Sequence, residues 1–328
     1  MSPNTKGVFL GLAAFGIFAT HDVIVKYLGA TYSPFQIVFF SVLFGFPLVT
    51  FMLVGDTSTQ NLRPHHPWWT GLRTVSVITT GVCIFYAFSV LPLAQTYSML
   101  FAMPLLITLL SIPILGERVG LHRGGAVVVG LIGVLIVLRP GSSEFTLGHL
   151  AALVGAFSAS LASIIVRKIG RDERDVVLLL YPMLGNFLIM GALMPFEYKP
   201  MALVDIGAMA LMAALAFAAM LCMIGAYKSG EAVIVAPMQY SQIIWAAAFG
   251  YLFFNETPDL QTLAGAAVII ASGIYIVLRE SRKDVSENTP VLRSRSRIAA
   301  GGYFRIGPRL RAARLRANKK NTSIDLKS

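Results

Sequence analysis

Residues 115–140 read LGERVGLHRGGAVVVGLIGVLIVLRP, and residues 254–280 read FNETPDLQTLAGAAVIIASGIYIVLRE. Each stretch closes one apolar run with a carboxylate and opens a second, glycine-containing run that ends in Leu-Arg. Gly125 aligns with Gly265, Gly133 with Gly273 and Arg139 with Arg279, all at one common spacing. Glu117 and Glu256 pair one position short of it, as a single indel in the connecting turn produces. A spacing that holds over this length marks an internal duplication.

Working outward, the chain resolves into ten apolar spans, about 7–28, 34–54, 70–90, 93–115, 122–139, 147–167, 176–195, 204–227, 231–254 and 260–279. Thr74–Gly116, Val176–Phe196, Ile206–Tyr227 and Ala232–Asn255 contain no Asp, Glu, Lys, Arg or His. Crossing a hydrocarbon layer takes about 20 helical residues, so these are membrane helices. The first block is twice that length and must fold as a hairpin, with Leu91-Pro92-Leu93 supplying the break. Hydrophobic residues make up 56% of the chain, arranged in blocks that a soluble amphipathic fold would not use. The expected fold is an all-α polytopic membrane protein with repeats over 7–139 and 147–279 and a basic tail over 280–328. Each repeat has five spans, an odd number, so the second enters the bilayer from the opposite face.

Loop charges set the orientation. With the amino terminus inside, the cytoplasmic ends carry Lys6, Arg63, Arg73, Arg118, Arg123, Arg167, Lys168, Arg171, Arg174 and Lys228, against Lys26, Arg139 and Lys199 outside. That bias places both termini in the cytoplasm. Residues 1–20 lack a clear cleavage site and read as a retained first helix rather than a signal peptide. Of the net charge of +11, the tail from Arg279 supplies +10 (14 basic against 4 acidic residues). It reads as disordered or as a strip lying on anionic lipid; nucleic-acid binding has little weight for a segment tethered to ten spans. Cys83 and Cys222 read as small hydrophobes.

Ionisable groups inside a span need a reason. An unpaired Asp near mid-membrane costs roughly 3 kcal/mol on insertion scales. His21, Asp22 and Lys26 sit within the first span, with Lys26 one turn beyond Asp22 on the same face, where the two can partly neutralise each other. His21 and Asp22 are candidates for solute contact and proton coupling; in the structural alternative Asp22 locks the helix to a neighbour and His21 bonds to a carbonyl. The fourth span offers Gln95, Tyr97, Met99 and Met103 ahead of Pro104, with Tyr86 on the third. In the matching place of the second half, the ninth span carries Gln239, Tyr240, Gln242 and Trp245 after Pro237. Ser160 in the sixth and Tyr227 at the end of the eighth either line a cavity or serve packing and anchoring. Glu117 and Glu256 stand at helix carboxyl ends, where an anion is disfavoured, so an ion-pair or loop-capping role is expected of them. The glycines of the fifth span suggest close helix contact.

No metal-ligand spacing, nucleophile elbow or phosphate loop is present, so the expectation is a non-enzyme with no cofactor and no metal. A non-transporting receptor or scaffold is the alternative from a different class.

The Pro-Leu-Ala-Gln-Thr-Tyr-Ser-Met-Leu-Phe-Ala-Met-Pro stretch from 92, Leu-Gly-Glu-Arg at 115, the Gly-rich helix ending Leu-Arg-Pro, and their echoes over 231–279 resemble the EamA domains of the drug/metabolite transporter superfamily. The resemblance covers about 7–279. It implies ten helices and a central cavity formed mainly by the first, third, fourth, sixth, eighth and ninth. Matched helix by helix, it points to His21, Asp22, Tyr86, Gln95, Met99, Ser160, Tyr227, Gln239 and Tyr240 as substrate-binding; Trp245 is added from its place on the ninth span. The implied protein is a secondary active or facilitative carrier of a small organic metabolite in a prokaryotic cytoplasmic (inner) membrane. An amino-acid derivative or S-adenosylmethionine-like solute leads, with riboflavin as the alternative. Proton coupling and a homodimer stay open.

Overall fold

The computed structural model of the protein describes residues 3–53, 63–117, 119–139, 145–170, 172–230 and 232–281; the basic tail beyond 281 lies outside them. The described residues form helices, turns and loops, with no strand among them. Eight spans are continuous helices: the first (Pro3–Gly29), second (Pro34–Leu53), third (Pro67–Val90), fifth (Leu121–Leu138), sixth (Leu147–Ile169), seventh (Asp175–Glu197), eighth (Leu203–Ser229) and tenth (Leu260–Ser281). The fourth and ninth are broken. The fourth runs as Leu93–Leu100 and Met103–Leu115; the ninth runs as Ala232–Val235, a 3₁₀ segment Ala236–Ser241, then Gln242–Phe254.

Local chemistry explains these ends. Leu91 precedes Pro92, whose ring disfavours helical backbone before it, and Leu91 turns extended at φ −109°, ψ 157°. In the ninth span Pro237 has no N–H to give, and the ladder tightens into 3₁₀ geometry around it. The fourth span closes on Gly116 (φ 71°) and the ninth on Asn255 (φ 53°), both left-handed and at equivalent positions of the duplication. Gly and Asn are the residues that enter this conformation at least cost. The two repeats therefore use the same stop at the same place.

Packing carries the same symmetry. The first span packs most closely on the eighth, the third on the sixth and the fifth on the tenth, with the second against the seventh. Exchanging the repeats turns the first-with-eighth pair into sixth-with-third and leaves the other pairs unchanged. Two bodies result, one of spans one, eight and nine and one of spans three, four and six, each drawing on both repeats.

The fifth and tenth spans form the seam between the halves. A methyl on Gly133 would meet Ile269 and the carbonyl of Gly265, and one on Gly265 would meet Val137 and the carbonyl of Gly133. Gly130 lies under Leu105 and Ser272, whose hydroxyl donates to the carbonyl of Ala126. Gly124 and Gly125 face open space, so only part of the glycine pattern serves close contact.

The two ends of the bundle differ. Around Leu28, Phe88, Leu93, Phe101 and Ile276 one continuous apolar cluster joins both bodies. Toward the opposite end the described apolar residues divide. One cluster, with Phe15, Phe18, Met223 and Val235, belongs to spans one, eight and nine; another, with Ile165, Ile169 and Leu178, is backed by Trp69 and Leu72.

Candidate functional site

The buried centre is built on the first span. Asp22 is 1% exposed, and its Oδ1 lies 2.8 Å from His21 Nδ1. Tyr97, on the first half of the fourth span, donates its hydroxyl to Asp22 Oδ2. A carboxylate withdrawn from water is tolerable only when its oxygens are satisfied, and here both are. The His21 ring also meets Phe85 edge-on, with centroids 6.0 Å apart. Spans one, three and four thus converge on one ionisable pair.

From Tyr97 an aromatic run crosses to the other body. Tyr97 and Phe101 centroids are 6.3 Å apart, and Phe101 meets Tyr240 edge-on at 5.2 Å. Phe101 stands at the break in the fourth span and Tyr240 in the 3₁₀ break of the ninth. The Tyr240 hydroxyl lies directly over Gly273, where no side chain would fit. Gln239 beside it is half-buried. Gln242 is 4% exposed, and its Nε2 has no hydrogen-bond partner among the described residues. An unpaired buried amide next to a broken helix is the kind of group a bound solute would satisfy.

Other expected residues lie apart from this centre. Gln95 bonds His149 at 2.9 Å, and His149 itself caps the sixth span through Thr146, so Gln95 ties the fourth span to the start of the sixth. Met99 is fully buried in the apolar core. Ser160 donates to the carbonyls of Ala156 (2.7 Å) and Met103 (3.3 Å) within its own body. Tyr86 is half-buried one turn before the end of the third span. Tyr227 packs on the cluster around Phe15 and Met223. Trp245 is 38% exposed and lies against Gly16. The His21–Asp22–Tyr97 unit and the Phe101–Tyr240 contact are what the fold brings together.

The partner the structure gives Lys26 is Glu256, at 2.7 Å, rather than the neighbouring Asp22. The reason is topological: the ninth span ends beside the first and supplies a carboxylate that the local sequence does not contain. Glu117 likewise pairs with Arg167. Asn186, a candidate for an interhelical bond, leaves its Oδ1 without a partner among the described residues. Tyr97, which the family resemblance does not single out, is the residue that joins the fourth span to Asp22; its signal in the sequence is a lone phenol on that span ahead of Pro104. At the rim, Tyr32 donates to Asp205 at 2.6 Å, and Gln36 exchanges two bonds with the Lys199 backbone.

Ten apolar spans in two equivalent halves, broken at matching places around a buried ionisable pair, define a multi-pass membrane transporter of the two-repeat kind. The EamA-like transporter family model matches residues 5–139 and 146–279, and the chain belongs to that family. Similar curated proteins include an S-adenosylmethionine uptake transporter of Rickettsia bellii, 24% identical over 80% of this chain and 90% of its own length. The pseudopaline exporter CntI of Pseudomonas aeruginosa is 27% identical over 83% of this chain and 95% of its own. A riboflavin transporter of Vibrio cholerae is 27% identical over 70% and 77%. A solved crystal structure with a TM-score of 0.59 and 18% identity covers 85% of this chain and 99% of its own, a likeness of fold alone.

Proposed function

We propose that the protein carries a cationic or zwitterionic amino-acid derivative, of the S-adenosylmethionine type, across the cytoplasmic membrane by alternating access, releasing it chemically unchanged. The observation that supports this reading is the Asp22 carboxylate, held between His21 and Tyr97 where the first span meets the broken fourth. A fixed anion in a low-dielectric interior favours a cation, and His21 beside it offers a place for a coupling proton. Both termini are cytoplasmic on the loop-charge bias, with repeats over 7–139 and 147–279. The cycle is assigned to the two repeats; the basic residues of the tail over 280–328 would attract anionic lipid without taking part in it.

One observation favours a second solute class. The Tyr97–Phe101–Tyr240 run and the Gln239 and Gln242 amides suit a neutral planar ring system such as riboflavin. Uptake into proteoliposomes, run in parallel with S-adenosylmethionine, amino acids and riboflavin, separates the two. Accumulation of the sulfonium compound with loss in Asp22→Asn is the expected result. Flux of riboflavin alone, indifferent to Asp22→Asn, favours the second reading; no flux of any metabolite favours a receptor.

A further inference from the structure

We propose that Lys26 with Glu256, and Arg167 with Glu117, are twin latches that close opposite ends of the bundle in turn; this deepens, and rests on, the carrier reading above. The pairs are equivalents under the duplication. Lys26 corresponds to Arg167 at nearly the same offset that relates Glu117 to Glu256. Each pair joins the carboxyl end of the first span of a repeat to the residue just past the broken span beside it, Lys26 to Glu256 at 2.7 Å and Arg167 to Glu117.

The Lys26 pair does more than hold its own body together. Lys26 Nζ donates to the carbonyl of Leu91 at 2.5 Å, and the Leu93 amide donates to Glu256 Oε2 at 3.0 Å. Leu91 and Leu93 flank the turn between the third and fourth spans, on the opposite body. Such a turn leaves one carbonyl and one amide without helical partners, and a cation next to an anion satisfies both.

The second half carries a matching helix end. Gly230 caps the eighth span at φ −109°, ψ 159°, beside φ −109°, ψ 157° for Leu91, and each is anchored four residues back, to Ala226 and Ala87. Gly7 packs on Gly230 as Gly148 packs on Leu91. Gly230 thus offers the second pair the helix end that Leu91 offers the first, and among the described residues Glu117 does not bond to it. Glu117 is 7% exposed and its Oε2 has no partner among the described residues. Packing agrees. The first span lies on the third, with Gly29 against Ser89, while among the described residues the sixth has no comparable packing on the eighth, and the apolar clusters at that end stay separate. The structure is latched at the Lys26 end and released at the Arg167 end. In the opposite state Glu117 and Arg167 grip the end of the eighth span at Gly230 as Leu91 and Leu93 let go.

The test is double spin labelling of the reconstituted full chain in a Cys83→Ala, Cys222→Ala background. One label pair, Tyr27→Cys with Val90→Cys, spans the bodies at the Lys26 end; the other, Trp68→Cys with Lys228→Cys, spans them at the Arg167 end, and all four positions are exposed. Two populations are expected, short at one end and long at the other. Glu256→Gln should shift their ratio about tenfold toward closure at the Arg167 end, the effect of losing one charge-assisted bond. Glu117→Gln should shift it about tenfold the other way. Glu117→Asp keeps the charge facing Arg167 but shortens the reach to the end of the eighth span, and should act like Glu117→Gln where that variant fails to fold. Two populations whose ratio none of these variants moves would overturn the latch and leave the carrier standing. A single population, with or without solute, would overturn the carrier and the latch together.

Discussion

Tyr97 and Asp22 are 75 residues apart in the chain and share one hydrogen bond in its interior. The bond joins the two bodies toward the Lys26 end of their spans, and with His21 on the other oxygen it leaves the carboxylate fully occupied. On the proposed reading, a cation bound here displaces or reorganises one of these partners, which would tie occupancy to the relative position of spans one and four.

Asp22→Asn should therefore cut uptake at least about tenfold, the weight of a charge-assisted hydrogen bond, or flatten its dependence on pH. Initial rates across pH 5 to 8 at matched expression check this. Unaltered kinetics would remove both charge recognition and coupling from this residue.

Tyr97→Phe keeps the ring against Phe88 and Phe101 and deletes only the hydroxyl. Leaving one carboxylate oxygen unsatisfied should destabilise the fold by about 1–3 kcal/mol. Melting of the purified protein measures the loss.

Gly133→Ala should destabilise by about 1–3 kcal/mol, because the new methyl would lie 3.0 Å from the carbonyl of Gly265 across the seam. Gly125→Ala, into open space, should be neutral or slightly stabilising. Equal melting temperatures would place the seam elsewhere.

The Tyr32 hydroxyl, in the loop after the first span, is held above its usual range by its hydrogen bond to Asp205 and by burial. A phenol whose ionisation is opposed in the fold lends stability below its ordinary range near pH 10, and that stability fades as pH rises above it. Tyr32→Phe should therefore lower stability at neutral pH and narrow its gap to the parent as pH rises above about 10. A gap constant over that range would count against the contact.

Deleting residues 285–328 should leave transport largely intact, since the second matched repeat ends at 279. Uptake by a correctly inserted truncation decides this.

Much of the architecture is legible because lipid enforces it: span lengths, the hairpin at Pro92 and the echo between the halves follow from hydrocarbon thickness, proline chemistry and duplication. Both broken spans coincide with prolines that the sequence displays. Asp22 and His21 are conspicuous because charge is rare in such runs. What stays hidden is partnership. Nothing near Lys26 announces Glu256, far along the chain in the other repeat, and local spacing instead favours Asp22. Gln95 and Ser160 look like lining residues for the same reason: their partners, His149 and the carbonyl of Met103, arrive only with the fold.

The pairing of the first span with the eighth, the duplicate of the third, has an evolutionary corollary. A half-length ancestor of this chain would have lacked the span on which each of these packs most closely. Two such molecules, inserted head to tail, would each have completed the other. Fusion of two such genes would make that antiparallel partnership permanent and free the twin ends to diverge.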